Sequence, residues 1–340
     1  MSSLHTYIAR DFELQSGVVL PEARLVCKTH GQLNAARDNA ILFPTWFGVN
    51  HQTTEWIIGP GRPLDPSRWF IIVANILGNG TSSSPSNTPA PFARAAFPLT
   101  TLLDNVRLQL QAVQDLWQIE RFAAVIGRSM GAQIAYQWAS WQPDMVPRML
   151  ALCGSARTAA HNYVFLESIA QGLRLDPGYR GGNYAETPRQ GLALMRTIYD
   201  SWVLSQGYYR KGLHLSETYP TTRAYLDRPF DPGERDVNDI LAQIASWQAA
   251  DISANLRFQG DFAAALGAIR ARSIIMPSRT DLYFPPEDSE IEVSHMRNAE
   301  LRVIESVWGH RSGAPGGDPK DIAFIGQAIG DLLSDVAPSG

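Results

Sequence analysis

Val125-Ile126-Gly127-Arg128-Ser129-Met130-Gly131-Ala132 decides how the rest of this chain is read, because it sets a serine in a Gly-x-Ser-x-Gly frame. Before it, Phe122-Ala123-Ala124-Val125-Ile126 is a short apolar, β-prone run. After it, Gln133 to Ala139 has the pattern of the start of an amphipathic helix. A sharp strand-to-helix turn strains its central residue, and Gly127 and Gly131 leave room for the close packing such a turn needs. Ser129 Oγ is then raised above the sheet at the positive end of the following helix. The five-residue frame alone arises by chance in roughly one chain in ten of this length. Its strand-and-helix setting, and a matching acid and base, must therefore carry the argument.

Both partners are present downstream. Arg272-Ser273-Ile274-Ile275-Met276-Pro277 reads as a strand, and Asp281 lies in the loop just past its carboxyl end, where α/β sheets gather functional groups. Leu301 to Ser306 reads as a further strand, followed by Val307-Trp308-Gly309-His310. The order Ser129, Asp281, His310 is similar to that of α/β-hydrolase triads and differs from the two other common serine-hydrolase orders. In these roles His310 accepts the serine proton and Asp281 orients the imidazole. Rival positions fit less well. His295 reads as a surface helix residue, Asp288 falls where a helix should already have begun, and Asp261 requires a different strand assignment. His51 and His161 follow the wrong elements for a base and read as pocket-lining or structural.

The chain has 340 residues, 45% hydrophobic and 18% charged, which suits one large α/β domain with an inserted subdomain. A net charge of −4 leaves no electrostatic footprint for nucleic acid or an anionic membrane. Two cysteines, Cys27 and Cys153, cannot build a disulfide framework, so a cytoplasmic setting is expected. The residues Met1 to Leu14 contain no signal-peptide core, and no apolar run approaches membrane-spanning length. No metal-ligand spacing, phosphate-binding loop or repeat is present, and no cofactor is expected.

Alternating strand and helix patterns argue for an α/β fold with a mostly parallel central sheet flanked by helices. Phe12 to Lys28 reads as two antiparallel strands around Ser16-Gly17. Ala40 to Pro44, Trp69 to Asn75 and Arg148 to Cys153 read as further strands, and Thr101 to Trp117 as a helix. From about Ala156 to Ala263 the strand signals stop. The expected division is a core of 1–155 and 264–340, with 156–263 inserted as a helical lid over Ser129. Trp202, Tyr208, Tyr209, Tyr225 and Trp247 fall in that insertion, most of them expected in its interior and a few along an apolar pocket. An oxyanion hole needs two backbone donors. Met130 supplies one, and the loop Thr45-Trp46-Phe47-Gly48 supplies the other, from Phe47 in preference to Trp46.

Several further landmarks extend the pattern along the chain: Phe12 to Asn34, Ile58-Gly59-Pro60-Gly61 with Leu64-Asp65, Asn75 to Asn87, Phe97-Pro98-Leu99-Thr100, Ser129-Met130-Gly131 and Asp281-Leu282-Tyr283-Phe284-Pro285. In these the chain resembles the homoserine O-acetyltransferase family of α/β-hydrolases over nearly its full length. The resemblance implies a Ser129–Asp281–His310 triad, a helical lid, a homodimer formed through the lid, and an acyl-enzyme made by ping-pong chemistry.

The transferases of that family carry Gly-Gly-Ser-Met-Gly-Gly at the nucleophile and an Asp after the catalytic His. Here the corresponding residues are Gly127-Arg128-Ser129-Met130-Gly131-Ala132, and Arg311 after His310. A cation there repels an ammonium substrate. Arg196 matches the family arginine that meets a substrate carboxylate, or else forms a salt bridge within the lid. Asn79 to Asn87, Gly154-Ser155-Ala156-Arg157 with His161-Asn162, and Trp308-Gly309-His310-Arg311-Ser312-Gly313 are similar to the family's hydrolase branch, which cleaves small alkyl acetates. The resemblance thus implies hydrolysis of a small-molecule, short-acyl ester. The alternative is acyl-CoA-dependent O-acyl transfer on the same acyl-enzyme. Trp46, Arg196 and Arg311 are the expected pocket residues.

Overall fold

The computed structural model describes residues 2–229, 233 and 235–334. The chain opens with a hairpin of β1 (Ser2–Glu13) and β2 (Val19–His30), closed where Gly17, at φ 83°, donates to the Leu14 carbonyl. Its first arm begins ten residues before the expected Phe12, because Ser2 to Arg10 pair with His30 to Glu22. Next come β3 (Ala40–Pro44), β4 (Phe70–Ala74), α1 (Leu102–Trp117), β5 (Ala124–Arg128), α2 (Met130–Trp141) and β6 (Arg148–Leu152). Between β6 and the next strand lie α3 (Ala160–Arg174), α4 (Arg189–Val203), α5 (Gln206–Arg210), α6 (Thr222–Leu226), α7 (Val237–Gln248) and α8 (Phe262–Gly267). The chain then returns to the sheet through β7 (Arg272–Met276), α9 (Pro286–His295), β8 (Ala299–Leu301) and α10 (Pro319–Leu333).

All eight strands share one sheet, ordered β1-β2-β4-β3-β5-β6-β7-β8. β2 runs antiparallel to both its neighbours, and the strands from β4 to β8 pair in parallel. Every residue of β3, β4 and β5 is buried, as a parallel sheet covered on both faces requires. Successive side chains point to opposite faces. Leu42, Ile72 and Val125 join the cluster that contains α1 and α2, whereas Ile41, Phe43, Ile71 and Ile126 join the one that contains α10. The start of α1 is sharply defined by a capping box, in which Thr101 accepts from Asp104 N–H and Asp104 accepts from Thr101 N–H.

Two further strands differ from the sequence expectation. The strand before the serine is Ala124–Arg128, two residues further on than the apolar run suggests, because Gly127 and Arg128 pair with Ala151 and Leu152. The expected strand Leu301 to Ser306 is instead β8, Ala299–Leu301, followed by a single bridge between Ile304 and Ser278. Pro277 explains the interruption. Arg302 N–H and Ile304 N–H donate to the Ile275 and Pro277 carbonyls, but Pro277 has no N–H to return to residue 302.

One buried carboxyl ties α9 to the start of the inserted segment. Glu292 Oε1 accepts from Ala156 N–H at 2.6 Å, and burial pushes the Glu292 carboxyl up to about 8. Tyr136, Asp288 and Arg157 are the ionisable groups around it. The unfolded chain releases this proton near 4.5, so between that pH and about 8 only the folded state retains it, and stability declines as pH rises. Glu292→Gln keeps the acceptor and removes the ionisation. Its unfolding temperature should exceed that of the parent by an amount that grows from pH 4.5 to pH 8. A gap that stays flat over that window, in thermal melts at matched ionic strength, contradicts the assignment.

Candidate active site

Ser129 sits between β5 and α2 with φ 54° and ψ −129°, a backbone conformation rarely adopted by a residue with a side chain. The surrounding packing imposes it. A Cβ on Gly127 would lie 2.1 Å from the Gly131 carbonyl oxygen, and one on Gly131 would lie 2.7 Å from that of Pro44. Ser129 N–H donates to the Leu152 carbonyl at 2.8 Å, while the Ser129 carbonyl accepts from Ala132 N–H at 2.8 Å. The elbow is therefore wedged between the carboxyl ends of β3 and β6.

The other two residues reach it from separate loops. Asp281 lies in the turn after β7, and Oδ1 accepts from the N–H groups of Tyr283 at 2.8 Å and Phe284 at 3.3 Å. Its Oδ2 is 2.7 Å from His310 Nδ1, and His310 Nε2 is 2.9 Å from Ser129 Oγ. All three side chains are buried. With Nδ1–H donating to the carboxylate, Nε2 carries the lone pair that faces the serine hydroxyl. The structure thus joins the three residues singled out from sequence in one hydrogen-bonded line. The rivals are elsewhere: His295 is exposed at the end of α9, Asp288 is in its first turn, and Asp261 caps α8 by accepting from Ala264 N–H. His51 bonds to Asn75, and His161 packs on Trp202 with ring centroids 4.6 Å apart.

Met130 N–H is at the first position of α2, where no intrahelical carbonyl reaches it. Trp46 to Val49 form a turn closed by Val49 N–H donating to the Trp46 carbonyl at 3.3 Å, with Gly48 at φ 71°. Among the described residues, the N–H groups of Phe47 and Met130 donate to no protein acceptor.

A cavity of about 430 Å³ opens beside His310, lined among others by Trp46, Phe47, Met195, Tyr199, Arg196 and Arg311. Arg196 donates to the Arg228 carbonyl at 2.9 Å and the Leu226 carbonyl at 2.8 Å, so its guanidinium also braces the chain around α6. Arg311 is exposed at the cavity wall. None of the five aromatic residues singled out in the insertion lines this cavity, whereas Tyr199 of α4 does. Trp247 is fully buried, between Phe47 and Phe284. Among the described residues no cluster of histidine, cysteine, aspartate and glutamate could hold a metal ion. In the same residues no helix is long and apolar enough to cross a membrane.

Sequence reasoning took Arg128 only as a departure from a family pattern, and the structure gives it a task. It is buried on β5, donating through Nη2 to the His310 carbonyl at 2.7 Å and through Nη1 to the Ser312 carbonyl at 3.0 Å. Burial pushes its pKa down. The signal was available: a cation in a fully buried strand, one residue before the serine, needs acceptors at hand. Ser278 and Ser312, with hydroxyls 2.8 Å apart, and Thr280, which accepts from Gly309 N–H at 3.1 Å, hold the same loop.

A parallel sheet with a strained serine above it, joined through histidine to an aspartate that follows a later strand, defines an α/β-hydrolase. The chain belongs to the α/β-hydrolase fold family, whose model matches residues 41–311. It is 36% identical to an ethyl acetate hydrolase of Pseudomonas veronii, over 95% of this chain and 93% of that protein. The crystal structure of the acetyl esterase MekB superposes with a TM-score of 0.93 at 34% identity, covering 98% of this chain and 97% of the other. A homoserine O-acetyltransferase of Leifsonia xyli subsp. xyli is 30% identical over 88% of this chain and 83% of its own length.

Arg128→Met removes both bonds to the histidine loop while replacing a costly buried charge with an apolar side chain of similar length. The expected result is at least about a tenfold fall in turnover, with an unfolding temperature within a few degrees of the parent. Unchanged turnover in a folded variant refutes the clamp.

Proposed function

We propose that this protein is a carboxylic-ester hydrolase that cleaves short-acyl, acetate-type esters through an acyl-enzyme on Ser129. The observation that carries the reading is the line from Asp281 Oδ2 through His310 to Ser129 Oγ, with contacts of 2.7 and 2.9 Å, beside the cavity. His310 Nε2 takes the hydroxyl proton as Ser129 Oγ attacks the ester carbonyl. Asp281 stabilises the imidazolium that results. Negative charge develops on the carbonyl oxygen, and the Phe47 and Met130 N–H groups are the donors proposed to receive it. Collapse of the tetrahedral intermediate expels the alcohol, which takes the proton from His310. Water then enters, gives a proton to His310 and attacks the acyl carbon. Collapse of this second tetrahedral intermediate breaks the bond to Ser129 Oγ, which takes the proton back from His310 as the acid leaves.

Trp46, Met195 and Tyr199 supply apolar wall for a small acyl or alkyl group, and Arg196 and Arg311 supply the polar wall. The insertion 156–263 acts as the lid of this site on a core of 1–155 and 264–340. Pairing of two lids in a homodimer is supported by Tyr163 and Val164 of α3 and Leu194 of α4, which are exposed apolar side chains. The reduced state of the buried Cys27 and Cys153 is in keeping with a cytoplasmic setting.

An acyltransferase shares every step up to deacylation, and the likeness to a homoserine O-acetyltransferase gives that reading its support. The arginine after the histidine argues against homoserine as acceptor, since Arg311 faces the cavity where an ammonium group would have to be received. The two are separated by assaying short p-nitrophenyl and alkyl esters alongside CoA release from acetyl-CoA with and without homoserine. Ester hydrolysis without acceptor-dependent CoA release is the expected result.

Two substitutions test the scheme. Ser129→Ala should lower turnover of p-nitrophenyl acetate by about 10⁴-fold or more while leaving the unfolding transition cooperative. Retention of parental activity would show that another nucleophile operates. Arg311→Asp should not by itself produce homoserine-dependent CoA release, because one charge change does not position an acceptor. Rapid release in that variant would show that residue 311 alone selects the reaction.

A further inference from the structure

The loop that carries Phe47 is held by a residue of the insertion. Gln243, on α7, is buried, with 2% of its surface exposed. Its Oε1 accepts from Gly48 N–H at 2.8 Å. The turn it grips has its own internal logic. Gly48 at φ 71° and the bond from Val49 N–H to the Trp46 carbonyl are the signature of a type II turn. In the trans peptide linking Trp46 and Phe47, the carbonyl and the N–H point in opposite directions. The carbonyl is turned in toward Val49, so the Phe47 N–H is turned out of the turn. The stretch just before the turn is close to the elbow, since a Cβ on Gly131 would lie 2.7 Å from the Pro44 carbonyl oxygen and 3.1 Å from that of Thr45.

A type II turn differs from a type I turn by a flip of its central peptide, which here is the one whose N–H belongs to Gly48. Gln243 Oε1 holds that N–H on one side. The same helix reinforces the hold one turn later. The Trp247 ring packs against Phe47 at 5.5 Å and stacks on Phe284 at 5.7 Å, and Phe284 in turn lies 5.6 Å from the His310 ring. α7 thus bears on both sides of the reaction centre, directly by a hydrogen bond on the loop of Phe47 and indirectly, through Phe284, on the ring of His310.

We propose that Gln243 is a positioning residue for the oxyanion hole: it fixes the Trp46–Val49 turn and so keeps the Phe47 N–H aimed at the developing oxyanion. This rests on the ester-hydrolase reading above. The bond is made to the backbone of a neighbouring residue and not to substrate, so its loss weakens the transition state more than the ground state.

The test compares the parent with Gln243→Leu, and with the unbranched Gln243→Met should leucine not be accommodated. Three quantities are measured: kcat and KM for p-nitrophenyl acetate, inhibition by a small boronic acid that forms a tetrahedral adduct on Ser129, and the unfolding temperature. Removal of a whole oxyanion donor costs about 10²–10³ in kcat, and a misaimed donor costs part of that. The expected result is a fall in kcat of about tenfold or more, KM within about threefold of the parent, and boronate affinity weakened by the same factor as kcat. Unchanged kcat in the folded variant overturns the proposal. So does a fall in kcat with boronate affinity retained, or a rise in KM alone. Absence of ester turnover in the parent protein overturns the hydrolase reading and this proposal together, whereas an active parent with an indifferent variant overturns this proposal alone.

Discussion

The strained backbone of Ser129 is the constraint on which the site depends. A side-chain-bearing residue at φ 54° persists only where its surroundings over-determine it. Here the surroundings are two carbonyl-to-backbone contacts that no side chain could survive, at Gly127 and Gly131, and the bond from Ser129 N–H to Leu152. The parallel sheet supplies the rest: β3, β5 and β6 end at one level, so the loop after β3, the elbow and the chain leaving β6 converge. Burial of the strands on both faces opposes relaxation of the strain by sheet distortion, because any shift of β5 disturbs two apolar clusters at once.

Much of this was legible in the sequence. The serine frame, the aspartate after a strand and the histidine beyond it could be read from spacing, because α/β folds place such groups at strand ends. The limits of β3 and α1 could be read because both have sharp signals, an apolar pentapeptide and a Thr-x-x-Asp capping box. The last strand was misread because Leu301 to Ser306 has strand composition, while its partner contains Pro277, whose missing N–H acts across the sheet and leaves no mark on the segment itself. The roles of Arg128 and Gln243 were hidden for a related reason. Their partners are backbone groups 182 and 195 residues away, and no local pattern encodes a contact with a carbonyl or an N–H at that separation.

The insertion also carried less readable information than its composition suggested. From sequence most of its aromatic residues read as interior and a few as pocket wall, and Trp202, Tyr208, Tyr209, Tyr225 and Trp247 all pack on one another, on histidines or on the core. Tyr199, one turn of α4 beyond Met195, faces the cavity instead. Which side of an amphipathic helix meets a cavity and which meets the core depends on the crossing of neighbouring helices, and periodicity does not distinguish two apolar environments.

The charge around the histidine bears on the choice between water and an organic acceptor. Among the described residues the buried Arg128 has only carbonyl oxygens as hydrogen-bond partners, and Arg311 follows the histidine at the cavity wall. Both favour a negative reaction centre, which is what the tetrahedral intermediates of acylation and deacylation present. Both oppose a cation at the same place, which an amino-acid acceptor would bring on its ammonium group. Water carries no such penalty. In the proposed acyl-enzyme this charge favours water over a cationic acceptor, and for Arg128 positioning and selectivity are two consequences of one guanidinium group.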